Sequence, residues 1–91
     1  MKYPDEWRPI LDAETKRWSA MSCSPLLSRL SAEEETYEID VNSKTYQVEV
    51  KLLENTEAYI HVMVAIDDGH WLRAMKPLTS GFIRQKDEPK G

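Results

Sequence analysis

The 91-residue chain holds one cysteine, three glycines and one phenylalanine, and no apolar run approaches the roughly 20 residues that a membrane-crossing helix needs. Cys23 cannot close a disulfide within the chain and has no CxxC neighbour to share a zinc ion, which agrees with a reducing compartment. Gly69, Gly81 and Gly91 never cluster, so a glycine-rich phosphate loop is absent. Positive charge is also short. Twelve Lys and Arg against sixteen Asp and Glu leave a formal charge of −4 and a pI near 5.1, which argues against general nucleic-acid binding. The opening residues, Met1-Lys2-Tyr3-Pro4-Asp5-Glu6, lack the apolar centre of a secretory signal, so the expected location is cytoplasmic, away from membranes.

What is present fits one folded unit. With 41% hydrophobic residues the chain lies in the globular range. At 10.6 kDa, size scaling gives about 5,500 Å² of folded surface against about 15,400 Å² extended, enough burial for one core and not two. A single domain is expected over residues 1–84, with a polar flexible tail over 85–91.

Apolar spacing changes period along the chain. Trp7, Ile10, Leu11, Trp18 and Met21 recur at helical intervals between charged residues, predicting an amphipathic helix over residues 5–20 with Asp5 as its N-cap. Ser24 and Pro25 read as the cap and first residue of a short second helix carrying Leu26, Leu27 and Leu30. The acidic run Glu33-Glu34-Glu35 reads as a solvated link. From Tyr37 the period becomes 2. Strands are expected over residues 37–41, 44–52, 59–66 and 70–75, with a turn at Asn42-Ser43 and another at Asp68-Gly69.

Register follows from requiring inward residues to face inward residues, because a one-residue slip turns a whole apolar set outward. A two-residue turn at Asn42-Ser43 sets Ile39 opposite Tyr46 and Tyr37 opposite Val48. A three-residue loop at residues 54–56 sets Val50 opposite Ile60 and Val48 opposite Val62. The Asp68-Gly69 turn then opposes Ile66 to Trp71, Val64 to Arg73 and Val62 to Met75, leaving Arg73 as the charged member of the inner face. The expected fold is α+β. An N-terminal amphipathic helix and a short second helix pack on one face of a four-stranded antiparallel meander, and residues 78–84 are an optional short fifth strand.

Candidate chemistry is sparse. On these registers His61 and His70 are about 20 Å apart along the sheet, too far to share a metal ion. Cys23 lies before a helix, but capping explains its serine and proline neighbours without a reactive thiol. Asp67-Asp68-Gly69-His70 is a hairpin turn rather than a calcium loop, since Trp71-Leu72 follows where ligands would be required. Arg73, Lys76, Arg84 and Lys86 are interspersed with acids, so they form no basic groove. No catalytic residue, metal ligand or cofactor is assigned.

The outer sheet face departs from clean alternation, exposing Tyr59, His61, Met63, Leu72 and Ala74 where polar residues are the rule. These five are the candidate partner-binding residues. The first reading is a non-catalytic module that binds a protein partner or a second copy of itself through them. In a competing reading, residues 78–84 fold over this face. A third is a small enzyme or ligand-binding protein whose pocket lies between helix and sheet and uses Cys23, His61, Asp67 or His70.

Overall fold

A computed structural model describes residues 4–30, 34–68 and 77–86. Two helices, α1 (Trp7–Ser19) and α2 (Cys23–Leu30), precede strands β1 (Glu34–Val41), β2 (Lys44–Asn55), β3 (Tyr59–Asp67) and β4 (Leu78–Gln85). The strands form one antiparallel sheet in the order β1-β2-β3-β4, with helical packing on its inner face. The fold is therefore the expected α+β meander. Among the described residues no helix is long and apolar enough to cross a membrane.

The inward stripe of α1 is Trp7, Ile10, Leu11 and Trp18, as its spacing predicts, but Glu14 is buried within it as well. The helix starts two residues later than expected. Asp5 is not its cap; Glu6 occupies that position without a side-chain cap bond, because its carboxylate is turned to the sheet. The second helix starts earlier, at Cys23, and its first bond runs from the Leu26 N–H to the Ser22 carbonyl at 3.2 Å. Ser24 is thus inside the first turn. Pro25 is the third helical residue, where its missing N–H leaves no bond unmade.

In the first hairpin Ile39 faces Tyr46 and Tyr37 faces Val48, as expected. Asn42 and Ser43 have φ of 52° and 67°, the paired left-handed conformations of a two-residue turn whose twist matches that of its strands. The acidic run is not wholly a link. Glu34 and Glu35 open β1, and Glu35 receives Arg29 through Nε at 3.1 Å and Nη2 at 2.5 Å.

The second hairpin corrects the expected register. Val50 faces Val64 and Val48 faces Ile66, because β2 continues to Asn55 and the chain turns over residues 56–58. Thr56 closes that turn: its N–H donates to the Tyr59 carbonyl at 2.9 Å, and its hydroxyl accepts from the Ala58 and Tyr59 N–H groups. The alternation survives through a β-bulge. Leu52 faces Val62 and Glu54 faces His61, leaving Leu53 as the extra residue, so that Asn55 rather than Glu54 lies opposite the inward Ile60.

The third pairing is also corrected. β3 is flanked by β2 and by Leu78–Gln85, so the segment expected as an optional fifth strand is the fourth. Ile66 faces Leu78, Val64 faces Ser80 and Val62 faces Phe82, displacing the expected partners Trp71, Arg73 and Met75. This pairing turns Leu78 and Phe82 toward the core, with Ser80 opposite Val64 and Arg84 opposite Ile60 on the same side, so the inner face still carries one arginine, Arg84 in place of Arg73. The expected strand over 70–75 lies outside the described residues, as do Trp71, Leu72, Arg73 and Ala74.

The core lies between the inner sheet face and the two helices. Val48, Val50, Ile60, Val62, Val64 and Ile66 are fully buried against Leu11, Leu26 and Leu30, with both described tryptophans 3% exposed. The two sheet edges differ. β1 carries Glu34, Glu35, Glu38 and Asp40, a charged edge that discourages further strand pairing, whereas β4 carries Arg84 alone.

Candidate functional site

On the inner face two tyrosines tie α1 to the sheet. The Tyr37 hydroxyl donates to Glu14 Oε1 at 2.5 Å and accepts from Trp18 Nε1 at 2.8 Å, with the Trp18 and Tyr37 rings stacked at 6.4 Å. Tyr46 donates to Glu6, which also receives Lys44 Nζ at 3.1 Å, and the Tyr46 ring meets Trp7 edge to face at 6.2 Å. Burial, with the acceptor carboxylate beside each phenol, pushes both tyrosines up to about 12. The Tyr46 and Lys44 donors hold the Glu6 carboxyl below its usual range. These groups are committed to one another and to positioning the helix, an architectural use.

The outer face is the other chemical surface, and it is divided. By strand alternation Tyr59, His61, Met63 and Ala65 lie there on β3, with Thr79, Gly81, Ile83 and Gln85 on β4. Ala65 is buried, and Tyr59, His61 and Met63 are half-buried. Leu53, 48% exposed, and Ile83, 56% exposed, are the exposed large hydrophobic residues among those described. Both adjoin His61: Ile83 is its partner on β4, and Leu53 is the bulge residue beside its partner Glu54 on β2. The imidazole leans over Gly81, with Nε2 3.4 Å from where a β-carbon there would stand.

Toward β1 the same face becomes acidic. Thr36, Glu38, Gln47, Glu49 and Asp67 line a hollow of about 380 Å³. Glu49 is half-buried and hydrogen-bonded to Glu34; desolvation first, then the adjacent carboxyl, raises its pKa. Lys51 is the cation in this part of the face, between Glu34 on β1 and Met63 on β3.

Of the expected partner-binding residues, Tyr59, His61 and Met63 share this face, while Leu72 and Ala74 lie outside the described residues. The sequence reading missed Leu53 and Ile83. For Leu53 the signal is the pair Leu52-Leu53, two large apolar residues side by side in an otherwise alternating strand. Residues 78–84 do not fold over this face. They extend the sheet sideways as β4, turning Leu78 and Phe82 inward and Ile83 outward.

The pocket reading requires Cys23, His61 and Asp67 to converge. Cys23 packs against the core on the helical side, whereas His61 and Asp67 belong to the outer side, so the sheet separates thiol from imidazole. His70 lies outside the described residues. Among the described residues no group of three His, Cys, Asp or Glu side chains is placed to hold a metal ion. Comparisons with protein-family models, with curated proteins and with solved structures give no match.

Proposed function

We propose that the chain is a non-catalytic protein-interaction module whose working surface is the outer face of its sheet, centred on His61 and extending over Tyr59, Met63, Leu53 and Ile83. The observation that carries this reading is the placement of Leu53 and Ile83, both solvent-exposed, on either side of His61. Exposed apolar residues gathered at one place, rather than scattered singly, mark surfaces that are covered by a partner. The inner clasp supports the same reading from the other side: its polar groups serve helix docking, leaving the outer face as the less committed surface.

The test is whether the outer face is independent of folding. Met63→Glu and Ile83→Glu are expected to retain the wild-type circular dichroism spectrum and a cooperative thermal transition within about 5 °C of wild type, as surface substitutions do. Variants that lose cooperative unfolding would show that these side chains serve the chain's own core, and the interaction reading would fall.

A further inference from the structure

The identity of the occupant can be drawn from the division of the outer face, and this step rests on the interaction reading above. Leu53, His61 and Ile83 gather at the β2–β3 turn end, where the carboxylate of Glu54 accepts from the Tyr59 hydroxyl at 3.1 Å; Lys51 lies between, and Glu38, Glu49 and Asp67 gather toward the opposite end. From His61 to Asp67 is six residues of β3, about 20 Å at the rise of an antiparallel strand. A second copy closing over the whole face about a two-fold axis would set the carboxylates either against their own counterparts or onto the other copy's Leu53–His61–Ile83 end, opposing like charges in the first case and desolvating unpaired ones in the second. Charge complementarity instead favours a cationic partner at that end.

The secondary structure of the occupant follows from hydrogen-bonding requirements. Backbone groups within the sheet are already paired along its ladders, so an extended segment lying flat on the face would find no partners for its own N–H and C=O groups. A helix pairs its backbone internally, and this sheet already takes helices on its inner face. About 20 Å corresponds to roughly 14 helical residues. We propose that the outer face docks an amphipathic helix of a partner protein, about four turns long, with apolar side chains at one end for the Leu53–His61–Ile83 strip and Lys or Arg at the other for Glu38, Glu49 and Asp67.

Two 16-residue alanine-based helical peptides serve as probes. One carries leucines at one end of a face and lysines at the other end; the second has glutamate in place of each lysine. Fluorescence anisotropy of labelled peptide against the full chain, at low and at moderate salt, reads binding. The lysine peptide is expected to bind at least tenfold tighter than the glutamate peptide at low salt. Glu38→Lys should weaken it at least tenfold at low salt and little at moderate salt, while Ile83→Ser weakens it at both.

Equal binding of the two peptides, or no binding of either, overturns the helix proposal. If Met63→Glu and Ile83→Glu fold normally in that case, the interaction reading still stands. A wild-type dimer in light scattering that Ile83→Glu dissociates would identify the occupant as a second copy, again overturning the helix while keeping the working face. Loss of folding in both glutamate variants would overturn the two readings together.

Discussion

His61 lies across Gly81: a β-carbon on Gly81 would stand 3.4 Å from the imidazole Nε2 and 3.0 Å from the Val62 carbonyl oxygen. The second distance is the consequential one, since backbone oxygen in the middle of a paired strand cannot swing aside as a side chain does. Gly81→Ala is therefore expected to lower stability by about 1–3 kcal/mol, the usual cost of overpacking. Chemical denaturation measures it. His61→Ala in the same background should recover only a small part of the loss, because the clash with Val62 remains.

The Tyr37 hydroxyl joins Glu14 of α1 and the Trp18 indole. Tyr37→Phe leaves a buried carboxylate and an indole N–H without that partner, and removal of one member of such a group costs about 1–3 kcal/mol. Glu14→Gln, which keeps an acceptor for the phenol, is expected to cost less than Tyr37→Phe when both are unfolded in urea.

Alkali should unfold the protein through the same tyrosines. With both phenols raised to about 12, their contribution to stability is fully present below pH 10 and is lost as pH rises from 10 toward 12. A plot of melting temperature against pH is expected to fall steeply across that window, and to fall less steeply in Tyr37→Phe and Tyr46→Phe even though both variants start lower at pH 7.

Glu49 acts in the acidic range. Its pKa is raised above the ordinary value of 4.5, so the stability it contributes is complete below that value and is lost as pH climbs through its folded pKa. Once ionised, Glu49 beside Glu34 is a liability. Glu49→Gln is expected to raise the melting temperature by a few degrees at pH 7 and to change it little at pH 3.5, where the carboxyl is already protonated.

The legible parts of this fold were those carried by local periodicity. Trp7, Ile10, Leu11 and Trp18 announce the buried stripe of α1, and the alternation around Asn42-Ser43 fixes the first hairpin to the residue. Long-range pairing was less legible. The strength of Asp68-Gly69 as a turn favoured a strand directly after it, whereas β3 pairs with Leu78–Gln85, farther along the chain, to bring Leu78 and Phe82 inward. Turn chemistry is local; strand pairing is decided by contacts across the whole sheet, which no short stretch of sequence displays. On the candidate face, Tyr59, His61 and Met63 could be read because parity along β3 does not depend on which strand lies beside it. Ile83 could not, because its orientation depends on β4 belonging to the sheet.

The bulge at Leu53 sets where this chain tolerates a change of length. Deleting Leu53 itself would restore plain alternation to β2 and leave Glu54 opposite His61 and Asn55 opposite Ile60, with no side chain of β3 changing face. Lengthening the turn beyond Asn55 likewise adds residues outside the paired ladder and leaves every side chain on its own side. Both positions thus absorb a change of length, whereas one residue added or removed between Gln47 and Leu52, inside the continuous ladder, would turn one part of β2 over, a difference written in residue count rather than in residue chemistry.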